Sequence, residues 1–330
     1  MNANLMLKVN KISKQFPVYR RTVFKKKIGA LNVLNSVSFD IVKGETLGLV
    51  GESGCGKTTV CRTIMQLEPL TAGEIFFKGE RLSMLTKKEL RQVRRHMQII
   101  YQDPFGSLNP RMKVLDIIGE PLMIHKITSS KGEYKDMVAD LMMMVGLNPL
   151  MSSRYPHEFS SGQRQRISIA RAIAVKPDFL ICDEPVSALD VSIQAQIINL
   201  LEEIKDKFSL TYLFVAHDLA VVHHVSSRIA VMYRGEIVEI ADKDNLCRNP
   251  KHPYTKALLS AIPVPDPKER YKDEHALLRG ENNDLLDVPS GCRFYPRCPF
   301  AMSLCYQKRP VLNKGNHHEH LTACHLHQES

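Results

Sequence analysis

Short apolar runs alternate with helix-compatible segments along most of this chain. Three of these runs, at residues 45–50, 178–182 and 211–216, contain few polar side chains. Such runs are typical of strands that are buried on both faces of a parallel sheet. Segments with the apolar spacing of a helix cover residues 58–67, 87–96, 160–174 and 192–207. Strands that alternate with helices predict an α/β fold around a largely parallel sheet.

Alternating apolar and polar positions predict further strands at both ends of this region. Residues 7–12 and 33–41 alternate with a period of two, which is the period of a strand with one buried face. Residues 229–233 and 236–239 have the same character and flank a two-residue turn. This arrangement predicts an antiparallel hairpin.

A helical block from about residue 103 to 165 interrupts the alternation of strands and helices. Its longest part, residues 114–145, has helical spacing and is rich in methionine. Beyond residue 245, frequent prolines break the pattern. We therefore expect an α/β domain over residues 1–245 with a helical insert subdomain, followed by a small irregular domain over residues 246–330.

The loop after the apolar run at 45–50 fits the pattern G-x-x-x-x-G-K-[ST]. Its residues are Gly51, Glu52, Ser53, Gly54, Cys55, Gly56, Lys57 and Thr58, with Thr59 following. A strand, a glycine-rich turn and a helix are the context in which backbone N–H groups and a helix N-terminus bind a polyphosphate. We expect Lys57 to reach the β- and γ-phosphates and Thr58 to ligate Mg²⁺. The loop predicts a nucleoside triphosphate site.

An acidic pair, Asp183 and Glu184, follows the apolar run at 178–182. Ligand-binding groups of doubly wound α/β proteins gather at the carboxyl ends of strands. We expect Asp183 to hold Mg²⁺, directly or through water, and Glu184 to polarise the water that attacks the γ-phosphate. An isolated Asp-Glu pair is most often a solvated strand end. Its position about 125 residues after a phosphate-binding loop makes the signal strong.

Composition and charge narrow the class of protein. The 330 residues include no apolar run of about eighteen, the length that spans a membrane, and no apolar segment of a secretory signal. We therefore expect a cytoplasmic protein. The net charge of +10 comes largely from the N-terminus, where eight basic residues and no acidic one precede Asp40. Such a segment suits an anionic lipid surface or an acidic partner as well as nucleic acid, and residues 20–27 also fit a solvated loop.

Four of the eight cysteines cluster near the C-terminus: Cys292, Cys298, Cys305 and Cys324. A cytoplasmic location argues against disulfides, and thiols at this density suit a soft metal or an iron–sulfur cluster. Zn²⁺ is an alternative, because five histidines surround the last cysteine, although zinc knuckles usually have shorter cysteine spacings. Free surface thiols are a third reading. The cysteines at positions 55, 61 and 182 are expected to be core residues.

Further motifs follow an order that resembles the ATP-binding cassette ATPases of ABC transporters, over about residues 5–245. The stretch Phe159, Ser160, Ser161, Gly162 and Gln163 is similar to the LSGGQ signature of that family, and residues 180–185 resemble its Walker B strand with the following glutamate. The remaining matches are Gln102 for the Q-loop, Asp190 for the D-loop, His217 for the switch histidine, and Phe16, or Tyr19 in its place, for the aromatic that stacks on adenine.

This resemblance implies an ABC-type P-loop NTPase core that works in pairs. Two cassettes would close head to tail, with Ser160 and Gly162 of one facing the γ-phosphate bound by the other. Glu184 and His217 would be catalytic, and Gln102 would join Thr58 and Asp183 as a ligand of Mg²⁺. Ser161 replaces the first signature glycine, and serine is tolerated there only if its backbone avoids a glycine-only conformation.

The C-terminal part resembles a narrower group, the oligopeptide and dipeptide permease ATPases, and in particular their F-type subunits. The similarity lies in residues 252–259, in residues 289–305 around the first three clustered cysteines, and in residues 324–326. Some members hold a [4Fe–4S] cluster through four such cysteines, so the resemblance implies this cofactor. Because no feature of the sequence links these cysteines to the nucleotide site, a structural or sensing role is expected for them.

The resemblance also implies the function and the partners. It implies an ATP-hydrolysing subunit that energises import of oligopeptides or dipeptides, peripheral to the cytoplasmic face of the membrane. Its partners would be a second ABC ATPase in a heterodimer, two transmembrane permease subunits and an extracytoplasmic substrate-binding protein. Nickel or a metallophore is an alternative cargo.

Two other functions fit the sequence less well. A soluble cassette ATPase that acts on nucleic acid or ribosomes is disfavoured by the single cassette, the local basic charge and the permease-like C-terminal part. A P-loop kinase would leave the signature and the D-loop without a role.

Overall fold

The computed structural model describes residues 4–19, 27–261, 290–314 and 320–327. Its strands are β1 (Leu5–Tyr19), β2 (Lys27–Val42), β3 (Thr46–Val50), β4 (Ala72–Phe77), β5 (Glu80–Arg81), β6 (Met97–Ile100), β7 (Phe179–Asp183), β8 (Thr211–Ala216), β9 (Arg228–Tyr233), β10 (Glu236–Asp242), β11 (Asn313–Lys314) and β12 (Leu321–Thr322). Its helices are α1 (Lys57–Ile64), α2 (Lys87–His96), α3 (Pro104–Ser107), α4 (Val114–Ile124), α5 (Lys131–Met144), α6 (Ser161–Ile173), α7 (Val191–Phe208), α8 (Leu219–Val225), α9 (Lys243–Arg248), α10 (Pro253–Ser260) and α11 (Ser303–Gln307).

Some features of the sequence fall outside the described residues. These are the side chains of the basic segment at 20–27, the stretch at 262–289, and the histidines at 317 and 318. Within the part of the chain that is described, no helix is both long enough and apolar enough to cross a membrane.

The chain divides into two compact units, each assembled from three segments. The first combines residues 1–6, 41–46 and 78–215, and the second combines residues 7–40, 47–77 and 216–330. This division groups residues that are distant in sequence. The expected boundary at residue 245 and the insert at about 103–165 stay predictions.

The first unit contains a parallel sheet formed by β6, β7 and β8. Ile181 in β7 pairs in register with Ile99 in β6 and with Leu213 in β8. All residues of β7 and β8 are buried, as expected for strands that are covered on both faces. The apolar runs at 178–182 and 211–216 are therefore confirmed as buried strands.

Helix α6 contacts α3, α4 and α5 within the first unit, and α4 also contacts α5. The helical pattern predicted over residues 114–145 is interrupted between α4 and α5. Lys126 lies in the break with a φ of 52°, a left-handed conformation that ends a helix. The Ser130 hydroxyl then accepts a 3.1 Å hydrogen bond from the backbone N–H of Glu133, which satisfies one of the free donors at the start of α5.

The described residues of the second unit form a mixed sheet and an antiparallel one. In the mixed sheet β3 runs parallel to β9, and β9, β10, β12 and β11 follow with antiparallel pairing. In the other sheet β1 lies between β2 and β4, and Val9 pairs with Ile75. The predicted hairpin is confirmed by the antiparallel pair β9 and β10.

Candidate functional site

The phosphate-binding loop connects β3 to α1 in the second unit. Gly56, directly before α1, has a φ of 110°, which favours glycine because a Cβ would strain this conformation. A Cβ on Gly51 would lie 2.1 Å from the carbonyl oxygen of Met232, so β9 approaches too closely for any other residue. The fold therefore requires glycine at the first and last glycine positions of the motif.

Lys57 is held inside this loop by the carbonyl groups of the loop itself. Its Nζ donates hydrogen bonds to the backbone oxygens of Gly51 at 2.7 Å and Glu52 at 3.1 Å, and only 4% of the residue is exposed. The ammonium group is therefore positioned before any phosphate arrives. Burial raises the pKa of the nearby Cys55 thiol, so this cysteine is a neutral packing residue, as expected.

Glu52 is bound by two residues from the C-terminal part of the chain. The guanidinium of Arg297 donates to both carboxylate oxygens, at 2.8 and 3.0 Å. The backbone N–H of Glu52 donates to the hydroxyl oxygen of Tyr254 at 2.9 Å. The hydrogen bond from Arg297 to Glu52 is the largest cause that raises the pKa of Arg297. Arg297 directly precedes Cys298, so the structure links the cysteine-rich segment (residues 292–305) to the phosphate-binding loop, a connection that no feature of the sequence indicates.

The acidic pair lies in the first unit, at the end of β7. Asp183 is its last residue and is 2% exposed. Glu184 follows with a φ of 48°, and its backbone N–H donates to the carbonyl of Val215 at 2.9 Å. The side-chain amide of Gln102 donates to Oε2 of Glu184 at 2.7 Å. The structure thus brings together the Q-loop glutamine and the expected catalytic base.

The signature residues form the start of α6 in the first unit. Ser160 and Gln163 cap the helix reciprocally: the Ser160 hydroxyl accepts from the N–H of Gln163, and the Gln163 side chain accepts from the N–H of Ser160. Ser161 is the first helical residue, so its backbone is right-handed and serine carries no strain there. Gly162 follows and is buried.

The other predicted site residues lie in four places. Asp190 is exposed and precedes α7 in the first unit. His217 is exposed, belongs to the second unit and directly follows the last residue of β8. Thr58 and Thr59 lie half-buried in the first turn of α1. Phe16 in β1 is half-buried, with the Nζ of Lys14 4.6 Å from its ring centroid. The hydroxyl, amide and carboxylate oxygens of Thr58, Gln102 and Asp183 are ligand types that suit Mg²⁺.

All four clustered cysteines line one small pocket in the second unit, together with His252 and His325. Burial raises the pKa of Cys292 to about 12, and the neighbouring thiols add to this rise. The donor atoms are those of an iron–sulfur or zinc site. Nevertheless, among the residues that the structure describes, no group of three or more cysteine, histidine or acidic side chains is arranged to hold a metal ion. The described side chains therefore supply suitable donor atoms, but these atoms are not arranged to coordinate a metal ion.

Sequence reasoning missed three residues around the phosphate-binding loop: Arg293, Arg297 and Tyr254. The only signal for the two arginines is their position next to Cys292 and Cys298. Tyr254 lies in the segment that resembles the entry to the C-terminal domain. Neither of these signals reveals that Tyr254 and Arg297 bind a residue more than 200 positions upstream.

The phosphate-binding loop, the acidic strand end and the capped signature helix define an ATPase of the ABC type, and the family described as "ABC transporter" matches residues 34–187. A second family, "Oligopeptide/dipeptide transporter, C-terminal region", matches residues 238–305. The chain belongs to the family of oligopeptide transport ATP-binding proteins, and it hydrolyses ATP in an activity coupled to transport.

Similarity to relatives of this family extends over the whole chain. The chain is 48% identical over 326 residues to the oligopeptide transport ATP-binding protein AppF of Bacillus subtilis (strain 168), which covers 98% of both chains. It is 45% identical over 324 residues to the oligopeptide transport ATP-binding protein OppF of Haemophilus influenzae, which covers 98% of this chain and 97% of that one.

A solved structure has the same fold. The ATP-binding cassette MJ0796, a dimer in a post-hydrolysis state bound to ADP and Pi, superposes with a TM-score of 0.64 at 27% identity. The superposition covers 72% of this chain and 99% of the cassette. It supports the α/β ABC ATPase fold.

Proposed function

We propose that this chain is the ATP-hydrolysing subunit of an ABC importer for oligopeptides or dipeptides. The observation that carries the proposal is the whole-length similarity to AppF and OppF, proteins whose names specify oligopeptide transport. The match to the oligopeptide/dipeptide transporter C-terminal region adds a part that a generic cassette would not need. Neither nickel import nor action on nucleic acid has comparable support.

The residues of the site have the following proposed roles. The loop N–H groups and Lys57 bind the β- and γ-phosphates, and Phe16 stacks on adenine. Thr58, Asp183 and Gln102 hold Mg²⁺, which neutralises charge on the phosphate oxygens when it is bound. Glu184 accepts a proton from the attacking water. The roles of the residues other than Phe16 are supported by their positions near a strand end or a helix start, where such groups converge in α/β nucleotide-binding folds.

The second half of each ATP site is proposed to come from another subunit. Ser160, Ser161, Gly162 and Gln163 start a capped helix whose N-terminus suits an anionic phosphate. Asp190 and His217 are both exposed and would act near the subunit interface, with His217 holding the γ-phosphate. We propose a heterodimer with a second ABC ATPase, bound at the cytoplasmic face of the membrane to two permease subunits that receive cargo from an extracytoplasmic binding protein.

Reconstitution in lipid vesicles tests this function. The chain is purified with its permease subunits, its partner ATPase and the binding protein, and ATP hydrolysis is measured with a peptide, with a nickel complex and without cargo. We expect peptide alone to stimulate hydrolysis and to accumulate inside the vesicles. Replacement of the chain by its Glu184→Gln variant provides a control that should assemble normally but transport little. Stimulation by DNA or ribosomes, without recovery of permease subunits in a pull-down, would overturn the proposal.

We further propose that Cys292, Cys298, Cys305 and Cys324 bind a [4Fe–4S] cluster, with Zn²⁺ as the alternative. The support is their common pocket and the family match that spans the first three. Anaerobic purification followed by assays of iron, sulfide and zinc decides between them, with Cys298→Ser as the control. Equal amounts of iron and sulfide support the cluster, zinc alone supports the alternative, and the absence of all three contradicts both.

A further inference from the structure

The cysteine-rich segment contacts the phosphate-binding loop directly, through Arg297. This guanidinium forms a two-bond ion pair with the Glu52 carboxylate, although the two residues are 245 positions apart. The Arg297 side chain is only 15% exposed, against 42% for Glu52. Paired N–H to carboxylate bonds of this geometry are among the stronger hydrogen bonds in proteins, and they fix orientation as well as distance.

A second connection reaches the same loop through Arg293. This side chain is buried, forms an ion pair with Glu236 at 3.2 Å and donates a hydrogen bond to the carbonyl of Arg234. The next residue, Gly235, donates its backbone N–H to the carbonyl of Cys55 at 2.8 Å. The segment between Cys292 and Cys298 is thus connected to the loop at two positions, Glu52 and Cys55.

Packed aromatic rings fix the position of Arg297. Its guanidinium carbon lies 5.8 Å from the ring centroid of Tyr233. The ring of Phe294 lies edge-on to Tyr233, with the centroids 5.2 Å apart, and contacts Tyr254 at 5.6 Å. Tyr254 in turn accepts the N–H of Glu52. Arg297 and Tyr254, which both bind the loop, are therefore held by the same cluster of packed aromatic rings.

We propose that Arg297 is a positioning residue for ATP, through which the cysteine-rich segment sets the affinity of the phosphate-binding loop. The loop binds phosphates by convergent N–H groups, so its affinity depends on a fixed backbone. Arg297 restrains the loop through the side-chain carboxylate of Glu52, and it neutralises a negative charge that would otherwise repel the triphosphate. This inference rests on ATP binding at the loop and not on the identity of the cargo.

The test compares the full-length chain with its Arg297→Ala, Arg297→Lys and Lys308→Ala variants. Lys308 is exposed and lies in the same C-terminal segment, so its variant controls for loss of one positive charge there. Dissociation constants for ATP and ADP are measured by equilibrium binding, and amide hydrogen exchange is followed in peptides that contain residues 51–56 and 179–183. Lys57→Ala establishes that the measured binding occurs at this loop.

We expect Arg297→Ala to raise the dissociation constant of ATP about tenfold, because a charge-assisted two-bond pair is lost. Arg297→Lys should recover only part of the affinity, because lysine keeps the charge but not the paired geometry. Exchange should accelerate in residues 51–56 and stay unchanged in residues 179–183, which separates positioning from general destabilisation. Lys308→Ala should match the unaltered chain.

Three results would overturn the proposal. These are an unchanged ATP affinity in Arg297→Ala, full recovery of affinity by Arg297→Lys, and acceleration of exchange in both peptides alike. An unchanged affinity excludes a role of Arg297 in ATP binding. Full recovery by lysine shows that the positive charge alone sets the affinity. Faster exchange in both peptides shows that the substitution destabilises the protein in general. A chain that binds ATP normally but fails to energise peptide uptake contradicts the proposed function and leaves this inference standing.

Discussion

The side-chain amide of Gln102 donates a 2.7 Å hydrogen bond to the carboxylate of Glu184. Glu184 also has a left-handed backbone, with a φ of 48°, which costs a non-glycine residue about 1–2 kcal/mol. Strain of this kind persists only where the surroundings fix it, and it is often found at functional positions. The carboxylate is therefore held in place from both its backbone and its side chain.

Glu184→Gln should abolish most ATP hydrolysis while leaving ATP binding intact. Glutamine is close in shape and can keep the contact to Gln102, but it cannot accept a proton from water. Loss of a general base lowers turnover by about 10²–10⁴-fold. Phosphate release and equilibrium ATP binding, measured in the assembled transporter, check the two halves of this expectation. Retained turnover at this site would refute the assigned base.

Gln102→Ala should lower turnover about tenfold, with a smaller effect on ATP affinity. The alanine variant removes the donor that orients Glu184, and misplacement of a reacting group acts on the chemical step. Gln98→Ala is a matched control, because Gln98 is in the adjacent strand β6 and its amide instead binds the carbonyl of Arg94. Steady-state rates over a range of ATP concentrations separate the two effects. Equal losses in both variants would contradict the role of Gln102.

Ser160→Ala should destabilise the start of α6 by about 1 kcal/mol, because it removes the hydroxyl that caps the helix. Ser161→Gly, which restores the family's glycine, should instead cost only about 0.5 kcal/mol, through the lower helix propensity of glycine. Urea unfolding with an unchanged slope measures both. A gain of stability in Ser161→Gly would show that the serine is strained after all.

The stability of the second unit should depend on the ionisation of Glu239, which is fully buried in β10. Its carboxylate accepts from the backbone N–H groups of Lys251 at 2.7 Å and His252 at 2.9 Å, and it pairs with Nε2 of His320 at 2.5 Å. Burial alone would raise the pKa of Glu239, but its hydrogen-bond partners outweigh this effect and lower it. Folding therefore favours the ionised form.

The pKa of Glu239 is lower in the folded chain than in the unfolded chain, and this fixes the direction in which stability changes with pH. The stabilisation is complete above the unfolded pKa of about 4.3 and is lost as the pH falls through the folded pKa. Glu239→Gln should thus be less stable by about 1–3 kcal/mol at pH 7, and the difference should narrow below about pH 4.3. Urea unfolding from pH 7 to pH 3 measures it, with Glu203→Gln on the exposed face of α7 as the control. Parallel profiles at all pH values would contradict the expectation.

Local sequence is sufficient to predict helices whose ends carry capping residues. Helix α2 begins and ends where the pattern predicts, because Thr86 and Glu89 form a capping box at its start. The same applies to α6, whose start is capped by Ser160. The phosphate-binding loop is equally local, since its glycines, lysine and flanking elements are contiguous in the chain.

Helix ends and contacts that depend on residues distant in sequence cannot be predicted from the local pattern. Helical spacing continues past Ile124, so it cannot indicate that α4 ends there and that α5 begins after Ser130. The ion pair of Arg297 with Glu52 forms only because the fold brings together residues that are 245 positions apart. The cysteine motif indicates donor atoms, but only side-chain geometry decides whether they converge on a metal.

The distance between Glu52 and Arg297 along the chain affects how the protein matures. Synthesis proceeds from the N-terminus at about 5–20 residues per second, so the loop leaves the ribosome about 12–50 s before the arginine that pairs with it. During this interval a nascent chain contains the whole phosphate-binding motif but not yet Arg297, which pairs with Glu52. The nucleotide site is therefore completed among the last steps of synthesis, and a prematurely terminated chain retains the motif but not the support that orients it.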